Sequence, residues 1–309
     1  MLIGNSAGII EVQKLIKRVS ISDCNVLILG ETGTGKELVA QLIHQQSNRR
    51  TSNISHINCS ALPDTLIESE LFGHAKGAFT GACTARQGKI RYANGGTVFL
   101  DEIADMSLTA QAKILRALES SEVQEVGADK TYTVDVRWVA ATNKKLTDCV
   151  KQKNFREDLF YRLNVAEITL PPLRERREDI ALLINHFIGI FNKRYHKSVT
   201  GVDDDSLSIL LSYHWPGNIR ELRNAIEFSY ISVIGKIIHA NHLPENIRSI
   251  KRKYTYSSDD NFKIEAREKD IILEVLSNTH WNKSKAAEKL KWSRMTLYRK
   301  MKKHQIQEA

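Results

Sequence analysis

The segment Gly30-Glu-Thr-Gly-Thr-Gly-Lys36 is the most informative part of this sequence about the fold. It follows the apolar run at residues 24–29 and opens a helical pattern, so we expect a buried parallel strand, a glycine-rich loop and a helix. Loops with this GxxxxGK spacing wrap phosphates with their backbone N–H groups, and the lysine reaches the β- and γ-phosphates. A purely structural turn is the alternative interpretation. The predicted nucleotide contacts here are Gly30, Glu31, Thr32, Gly33, Thr34, Gly35, Lys36 and Glu37.

Two carboxylates, Asp101 and Glu102, follow a second apolar run at residues 98–100. An apolar strand that ends in two acids places them at the carboxyl edge of a parallel sheet, where ligands bind. We expect Asp101 to hold Mg²⁺, directly or through water, and Glu102 to polarise the attacking water, as nucleotide hydrolysis requires. Many strands end in acids, so the prediction depends on the phosphate loop that precedes them.

The residue after Lys36 is Glu37, not Ser or Thr, so the usual hydroxyl ligand of Mg²⁺ is missing and Asp101 becomes the predicted metal ligand. A further polar residue, Asn143, ends the apolar run at residues 136–141 on the same expected edge. It is a candidate for orienting water or the γ-phosphate. An asparagine that caps a loop is the alternative.

Short apolar runs alternate with helical patterns as far as Pro172. This alternation predicts an α/β fold, in which a parallel sheet carries helices on both faces. The pattern is then only helical, until a polar stretch without apolar period indicates a linker. Three more helical patterns predict an all-α domain at the end. The expected boundaries are 1–172 for the α/β subdomain, 173–247 for the helical subdomain, 248–262 for the linker and 263–309 for the last domain.

Charge is unevenly distributed along the 309 residues. The net charge is +9, and residues 248–309 contribute most of it, with 16 Lys and Arg against 8 Asp and Glu. This asymmetry favours an anionic partner such as nucleic acid for the C-terminal segment, although a merely soluble basic tail is the alternative. The four cysteines form no CxxC pair, and neither a signal peptide nor a membrane-length apolar run occurs. We therefore expect a cytoplasmic protein without a zinc finger or a disulfide framework.

Residues 283–303 have the pattern of a helix-turn-helix. Small residues at Ala286 and Ala287 allow close helix crossing, and Ser293 is a candidate N-cap of the second helix. That helix would present a basic face to the major groove, and a basic three-helix interaction module is the alternative. The apolar residues expected in its core are Leu290, Leu297 and Met301. The predicted DNA contacts are Lys283, Lys285, Ser293, Arg294, Thr296, Tyr298, Arg299, Lys300 and Lys303.

The segment Phe72-Gly-His-Ala-Lys-Gly-Ala-Phe-Thr-Gly-Ala82 resembles the GAFTGA loop of bacterial sigma-54-dependent transcription activators, the NtrC class of AAA+ ATPases. Further motifs agree with this family in order along the chain, and Glu37 is the residue that the family carries after the lysine. The C-terminal segment is similar to the Fis-type DNA-binding domain of these activators, except that Lys291 replaces the usual glycine of the turn. The further motifs are GETGTGKE at 30–37, NGGTVFLDE at 94–102, FREDLFYRLN at 155–164, LPPLRER at 170–176 and WPGNIREL at 215–222.

The resemblance implies a role for several residues. Arg156 and Arg162 match the arginine fingers that reach the γ-phosphate of a neighbouring subunit, and a solvated helix face is the alternative. Arg220 matches the sensor arginine of a helical lid, and Asn58 matches the residue that holds Glu102 in an inactive pose. The residues that match the sigma-54 contact, with Phe79 and Thr80 at its tip, are Gly77, Ala78, Phe79, Thr80, Gly81 and Ala82.

The family resemblance also implies an activity and partners. We expect a hexameric ATPase that binds upstream DNA and remodels the closed complex of sigma-54 RNA polymerase into an open complex, with ATP and Mg²⁺ as cofactors. A passive DNA-binding regulator and a AAA+ remodeller with another target are the rival hypotheses. The sequence starts almost at the AAA+ domain, so we expect a member without an N-terminal regulatory domain. Whether that domain was removed or is naturally absent, with a separate regulatory protein in control, is open.

Overall fold

The computed structural model describes residues 2–60, 64–79, 81–249, 272, 275–276, 279, 281–289, 297, 301 and 306. The chain forms two compact units, Met1–Pro244 and Glu245–Ala309. The finer boundaries expected from the sequence at 172, 247 and 262 stay predictions.

The centre of the first unit is a five-stranded parallel sheet in the order β2-β5-β8-β1-β9. The parallel α/β fold predicted from the alternating apolar runs is therefore confirmed. All six residues of β8 are buried, as expected for a central strand covered on both faces. The strands of this sheet are β1 (Val26–Leu29), β2 (Ile54–Asn58), β5 (Thr97–Asp101), β8 (Arg137–Thr142) and β9 (Ala166–Thr169).

Helices cover both faces of the sheet and build two apolar cores. On one face, Ile9 of α1 and Ile43 of α2 pack against the sheet. On the other face, Leu71 of α3, Ile114 of α5 and Leu159 of α7 do so. The helices of the sheet subdomain are α1 (Ala7–Ser20), α2 (Lys36–Gln45), α3 (Asp64–Phe72), α4 (Lys89–Tyr92), α5 (Leu108–Ser120), α6 (Leu146–Lys151) and α7 (Glu157–Leu163).

Two short antiparallel pairs stand apart from the main sheet. The strands β3 (Gly73–His74) and β4 (Arg86–Gln87) pair at the base of the loop that carries the GAFTGA-like motif. The strands β6 (Glu122–Gln124) and β7 (Thr131–Thr133) form a second hairpin after α5. An isolated bridge joins His74 to Val126, so the two hairpins contact each other.

The helical subdomain follows Pro172 and contains α8 (Ile180–Tyr195), α9 (Asp204–Ser212) and α10 (Asn218–Ser232). Short 3₁₀ turns precede α8 and follow α10. The structure adds one feature to the purely helical prediction, a parallel pair of β10 (Gly201–Val202) and β11 (Ile237–Ile238). Each of these strands has two residues, too few for an alternating pattern to be visible in the sequence.

In the second unit, residues 245–249 and Lys283–Lys289 are helical. Ala286 and Ala287 are buried in an apolar cluster, as the close crossing of helices requires. Leu290, which the sequence also places in the core, lies outside the described residues. The other members of the cluster are Ile272, Leu276, Leu297, Met301 and Ile306. Among the described residues, no helix has the length and apolar character of a membrane span.

Candidate functional site

The glycine-rich loop lies between β1 and α2, at the carboxyl edge of the sheet. Gly33 and Gly35 adopt left-handed backbone conformations, with φ of 81° and 103°, which bend the chain directly into the helix. Helix α2 starts at Lys36, so its first N–H groups and its dipole point toward the loop. The sequence prediction of a strand, a glycine-rich loop and a helix is met in full.

The Lys36 ammonium group is buried within the cleft, with 6% of its side chain exposed. Its Nζ atom donates to the Gly30 carbonyl at 2.9 Å and lies 3.4 Å from the Glu102 Oε1 atom. The positive charge of Lys36 and the negative charge of Glu102 therefore offset each other at the edge of the loop.

Glu102 lies directly after β5 in a left-handed conformation, with φ of 51°. Its Oε2 atom accepts from the backbone N–H of Asn143 at 3.2 Å. The Asn143 side chain donates to the Thr32 Oγ1 atom of the phosphate loop at 3.1 Å. The carboxylate and the asparagine that the sequence singles out are thus brought together beside the loop.

Burial raises the pKa of the Asp101 carboxyl above its usual value, and the negative charge of Glu102 raises the pKa further. One Asp101 oxygen accepts from the Glu102 N–H at 3.1 Å. Two neighbouring carboxylates beside one lysine form a site in which a divalent cation would relieve repulsion, and carboxylate oxygens are ligands that Mg²⁺ prefers. The donor set at Asp101 therefore fits the expected Mg²⁺.

Asn58 ends β2 directly opposite Asp101 in the sheet register and lines the same cleft. Its Oδ1 atom accepts from the N–H and the hydroxyl of Ser60, at 2.9 and 2.8 Å. In this structure the Glu102 carboxylate is held by Lys36 and Asn143. The hold on Glu102 by Asn58 that the family resemblance implies stays a prediction.

The start of α10 sits on the phosphate loop. The N–H groups of Ile219 and Arg220 both donate to the Gly33 carbonyl, at 3.0 and 3.3 Å. The Arg220 side chain, the expected sensor, lines the cleft. Two backbone hydrogen bonds therefore join the phosphate loop to the helical subdomain.

Asn218 connects three segments, and sequence reasoning did not find it. It is fully buried with φ of 52°, and its amide accepts from Leu173 N–H at 2.8 Å while donating to the Thr32 carbonyl at 3.0 Å. The amide also donates to Glu31 at 3.2 Å. In the sequence, Asn218 is noticeable only as part of the WPGN motif, because its hydrogen-bond partners lie far away along the chain.

An ion pair also holds the side chain of Glu31 in place. Arg174 binds both oxygens of its carboxylate, at 2.6 and 2.8 Å. This guanidinium, assisted by the Asn218 amide, lowers the pKa of Glu31 to about 2. The carboxylate is therefore ionised at neutral pH and ties the phosphate loop to the segment that leads into α8.

A cleft of about 630 Å³ lies between the sheet edge and the helical subdomain. Its lining includes residues 32–36 of the phosphate loop, both acids after β5 and four apolar residues. The apolar side chains are those of Leu2, Leu38, Phe187 and Ile219. Further polar lining comes from Arg220, Arg223 and Asn224.

We predict that Gly33→Ala lowers the affinity for ATP about tenfold or more, since a methyl group at this position meets the Gly217 carbonyl that lies over the loop. The added methyl also occupies a left-handed conformation, which alone costs about 1 kcal/mol. Calorimetric titration with ATP measures the effect. Gly95→Ala is the matched control, because Gly95 also has a left-handed φ, of 78°, but its added methyl group would meet only the Ser52 hydroxyl at an ordinary contact distance of 3.9 Å. Equal ATP affinity in Gly33→Ala and Gly95→Ala would contradict a role in ATP binding for the close contact between Gly33 and the start of α10.

The two candidate arginine fingers lie outside this cleft. Arg156 precedes α7 and pairs with Asp158 at 2.6 Å, and Arg162 lies 3.8 Å from Glu119. Their side chains are 41% and 58% exposed. Arg156 has an extended backbone, and α7 starts after it, at Glu157.

The loop between β3 and β4 carries the motif expected to contact sigma-54. Gly77 and Gly81 adopt φ of 82° and 108°, and the Gly77 N–H donates to the Ala82 carbonyl at 2.9 Å. Phe79 is half-buried and Ala82 is buried. Thr80 lies outside the described residues.

The expected DNA contacts are only partly described. Lys285 is exposed and Lys283 is half-buried, both on the helix that ends at Lys289. The remaining predicted contacts, which lie outside the described residues, are Ser293, Arg294, Thr296, Tyr298, Arg299, Lys300 and Lys303.

Three family models match successive parts of the chain. The sigma-54 interaction domain matches residues 2–169, and the AAA+ ATPase lid domain matches 174–260. The model described as bacterial regulatory protein, Fis family, matches 263–304.

Individual relatives agree with these matches. The regulatory protein AtoC of Escherichia coli strain K12 is 45% identical over 100% of this chain and 68% of AtoC. The nitrogen fixation protein AnfA of Azotobacter vinelandii is 44% identical over 99% of this chain, which spans 57% of AnfA. The solved structure of NtrX from Brucella abortus in complex with ATP has a TM-score of 0.74 and 31% identity, covering 99% of this chain and 69% of NtrX.

Proposed function

Because this chain belongs to the sigma-54-dependent transcriptional regulators, with an AAA+ ATPase domain, an AAA+ lid and a Fis-type DNA-binding domain, we propose that it is an ATP-driven activator. It assembles an oligomeric ring and uses ATP hydrolysis to remodel the closed complex of sigma-54 RNA polymerase into the open complex. One observation carries the proposal: a single compact unit holds the phosphate loop, the acidic pair after β5 and the glycine-flanked loop at residues 77–82.

The cleft suits ATP hydrolysis. The phosphates bind the loop N–H groups and draw Lys36 away from Glu102, and the freed carboxylate polarises the attacking water. Asn143 is placed to orient the γ-phosphate or that water. Mg²⁺ held by Asp101 would offset the charge that develops on the phosphates. The structure of NtrX, which is similar to almost the whole of this chain, was solved in complex with ATP.

The site is completed by a second copy of the chain. Neither Arg156 nor Arg162 lines the cleft of its own subunit, and both are exposed. A guanidinium supplied by a neighbour stabilises the charge on the transferred phosphoryl group, as arginine fingers do. A ring, which we propose to be a hexamer, provides each cleft with such a neighbour.

The loop at residues 77–82 and the basic second unit indicate two further partners, sigma-54 and DNA. Phe79 and Thr80 would contact sigma-54, on a loop bent by Gly77 and Gly81. The basic C-terminal unit would bind double-stranded DNA upstream of the promoter, with lysines near phosphates. A regulator of this kind works on DNA, so we expect it in the cytoplasm.

Thr80→Ala tests this proposal. We expect ATP turnover to continue, because none of the described residues in the loop at 77–82 lines the nucleotide cleft, while sigma-54 binding falls. Truncating a hot-spot contact costs on the order of 2 kcal/mol, or about 30-fold in affinity. Transcription from a sigma-54 promoter in vitro, alongside the ATPase rate, measures both effects. Thr51→Ala, at an exposed threonine before β2, is the matched control. Unaltered transcription in Thr80→Ala would refute the assignment of the loop.

A further inference from the structure

His74 lies at the base of the loop that carries Phe79, and the ATPase chemistry does not use it. It is the last residue of β3 and only 8% exposed. In the antiparallel pair it stands opposite Arg86 of β4, so it sits where the outgoing and returning limbs of the loop meet. A buried imidazole at this place needs partners for both ring nitrogens.

Both nitrogens have partners, and these fix the form of the ring. The Nε2 atom lies 3.0 Å from the Thr84 carbonyl oxygen, which can only accept, so Nε2 carries the proton. In the neutral ring Nδ1 then accepts from the Ser69 hydroxyl, at 2.7 Å. Ser69 belongs to α3 and Thr84 to the returning limb. The imidazole therefore joins the loop to the body of the subunit.

The same ring also holds the aromatic residue of the loop. The rings of His74 and Phe79 meet edge to face, with centroids 5.0 Å apart and planes at 63°. This arrangement is favourable for aromatic pairs. The contact with His74 leaves Phe79 half-buried. The two glycines give the loop many accessible conformations, and this ring contact restricts them.

The second hairpin supports the outgoing limb from the other side. The Ala75 N–H donates to the Val126 carbonyl at 3.0 Å, and the Val126 N–H donates to the Gly73 carbonyl at 2.9 Å. Ala78 packs so closely on Gly127 that a side chain at Gly127 would meet it. The backbone on both sides of His74 is thereby fixed. The returning limb is also held by the ion pair of Arg86 with Glu70 at 2.7 Å, and the imidazole adds the hydrogen bond to Thr84 and the ring contact to Phe79.

We propose that His74 is a positioning residue for the sigma-54 contact: its imidazole holds Thr84, Ser69 and Phe79 in one arrangement, so that the loop meets its partner already ordered. The proposal rests on the proposed function of this loop. Ordering a segment before binding spares the entropy that binding would otherwise consume. Loss of the ring therefore loosens the loop and weakens the sigma-54 complex.

The chain contains a reporter for this loop. Cys83 is exposed on the returning limb, next to Thr84. Cys59 is buried, and burial raises the pKa of its thiol to about 12, so it resists labelling. A background with Cys24→Ser and Cys149→Ser leaves Cys83 as the site for a nitroxide spin label. Its electron paramagnetic resonance spectrum reports the mobility of the loop without any partner.

Three substitutions separate the contacts of the imidazole. His74→Gln keeps a donor for the Thr84 carbonyl but loses the ring, His74→Phe keeps a ring against Phe79 but loses both hydrogen bonds, and His74→Ala loses everything. We expect the label mobility to be greatest in His74→Ala and intermediate in the other two. Affinity for purified sigma-54, measured with an ATP transition-state analogue, should fall about tenfold in His74→Ala, comparable to the loss of one or two hydrogen bonds. His186→Ala, at an exposed histidine of α8, is the control.

The two readouts distinguish the two claims, and continued ATP turnover in each variant shows that the subunit is folded. An unchanged label spectrum in all three variants would overturn the positioning role of His74. A loosened loop that binds sigma-54 as tightly as before would overturn the proposed link between the order of the loop and its affinity for sigma-54. The sigma-54 function of the loop is tested separately, by Thr80→Ala.

Discussion

Glu102→Gln is expected to lower the rate of ATP hydrolysis about 1,000-fold, the range that general-base catalysis contributes, while ATP still binds. The amide has the size of the carboxylate but cannot accept a proton from the attacking water. Binding is preserved because Lys36, which now lies 3.4 Å from the carboxylate, loses a competitor for the phosphates. Phosphate release at saturating ATP measures the rate, and calorimetric titration measures the affinity.

The control for Glu102→Gln removes a charge without touching the site. Glu11 is an exposed acid of α1, and Glu11→Gln should hydrolyse ATP at the unmodified rate. Turnover by Glu102→Gln close to that of the unmodified chain would remove Glu102 from its role as the base. Loss of ATP binding together with turnover would mean that the carboxylate is needed to hold Lys36 in place.

Arg156→Ala and Arg162→Ala are each expected to reduce turnover by about 1,000-fold, as the loss of an arginine finger does. Both guanidinium groups are exposed. Arg156 pairs with Asp158 and Arg162 with Glu119, and both acids belong to the same chain. Such exposed pairs contribute little to stability, so both variants should unfold at the temperature of the unmodified protein. ATP binding to the isolated subunit should also be unchanged, because neither residue lines its cleft.

Two further variants sharpen the arginine prediction. Arg18→Ala, at an exposed arginine in the last turn of α1, controls for the loss of a surface charge. The substitution Arg156→Lys keeps the charge but not the planar fork, and should remain far below the unmodified rate. Turnover that persists in both alanine variants would exclude these residues as fingers.

The central features of the fold could be predicted because they depend on local sequence. A short apolar run, a GxxxxGK spacing and a helical pattern specify β1, the phosphate loop and α2 wherever they occur together. Apolar strands that end in Asp101 or before Asn143 must meet at one edge of a parallel sheet. The proximity of these side chains to Lys36 follows from that geometry.

What the sequence did not reveal depends on contacts between distant residues. Asn218 and Arg174 hold Glu31 of the phosphate loop from positions more than 140 residues away, which no local pattern encodes. His74 is a different case. Its partners Ser69 and Thr84 lie 5 and 10 residues away along the chain, and no sequence pattern indicates that the loop brings both of them to one ring. For Arg156 and Arg162, residue spacing does not distinguish arginine fingers from a solvated helix face, and only the family resemblance indicates their roles.

Mixing two inactive variants tests most directly whether the cleft is completed by a neighbouring subunit. Glu102→Gln lacks the base but supplies intact arginines, and Arg162→Ala lacks a finger but supplies an intact base. In a random ring formed from equal amounts, about a quarter of the clefts combine an intact base with an intact finger of the neighbour, so turnover should recover to that order. A mixture as inactive as its two components would contradict a shared site and the ring-shaped ATPase on which this account depends.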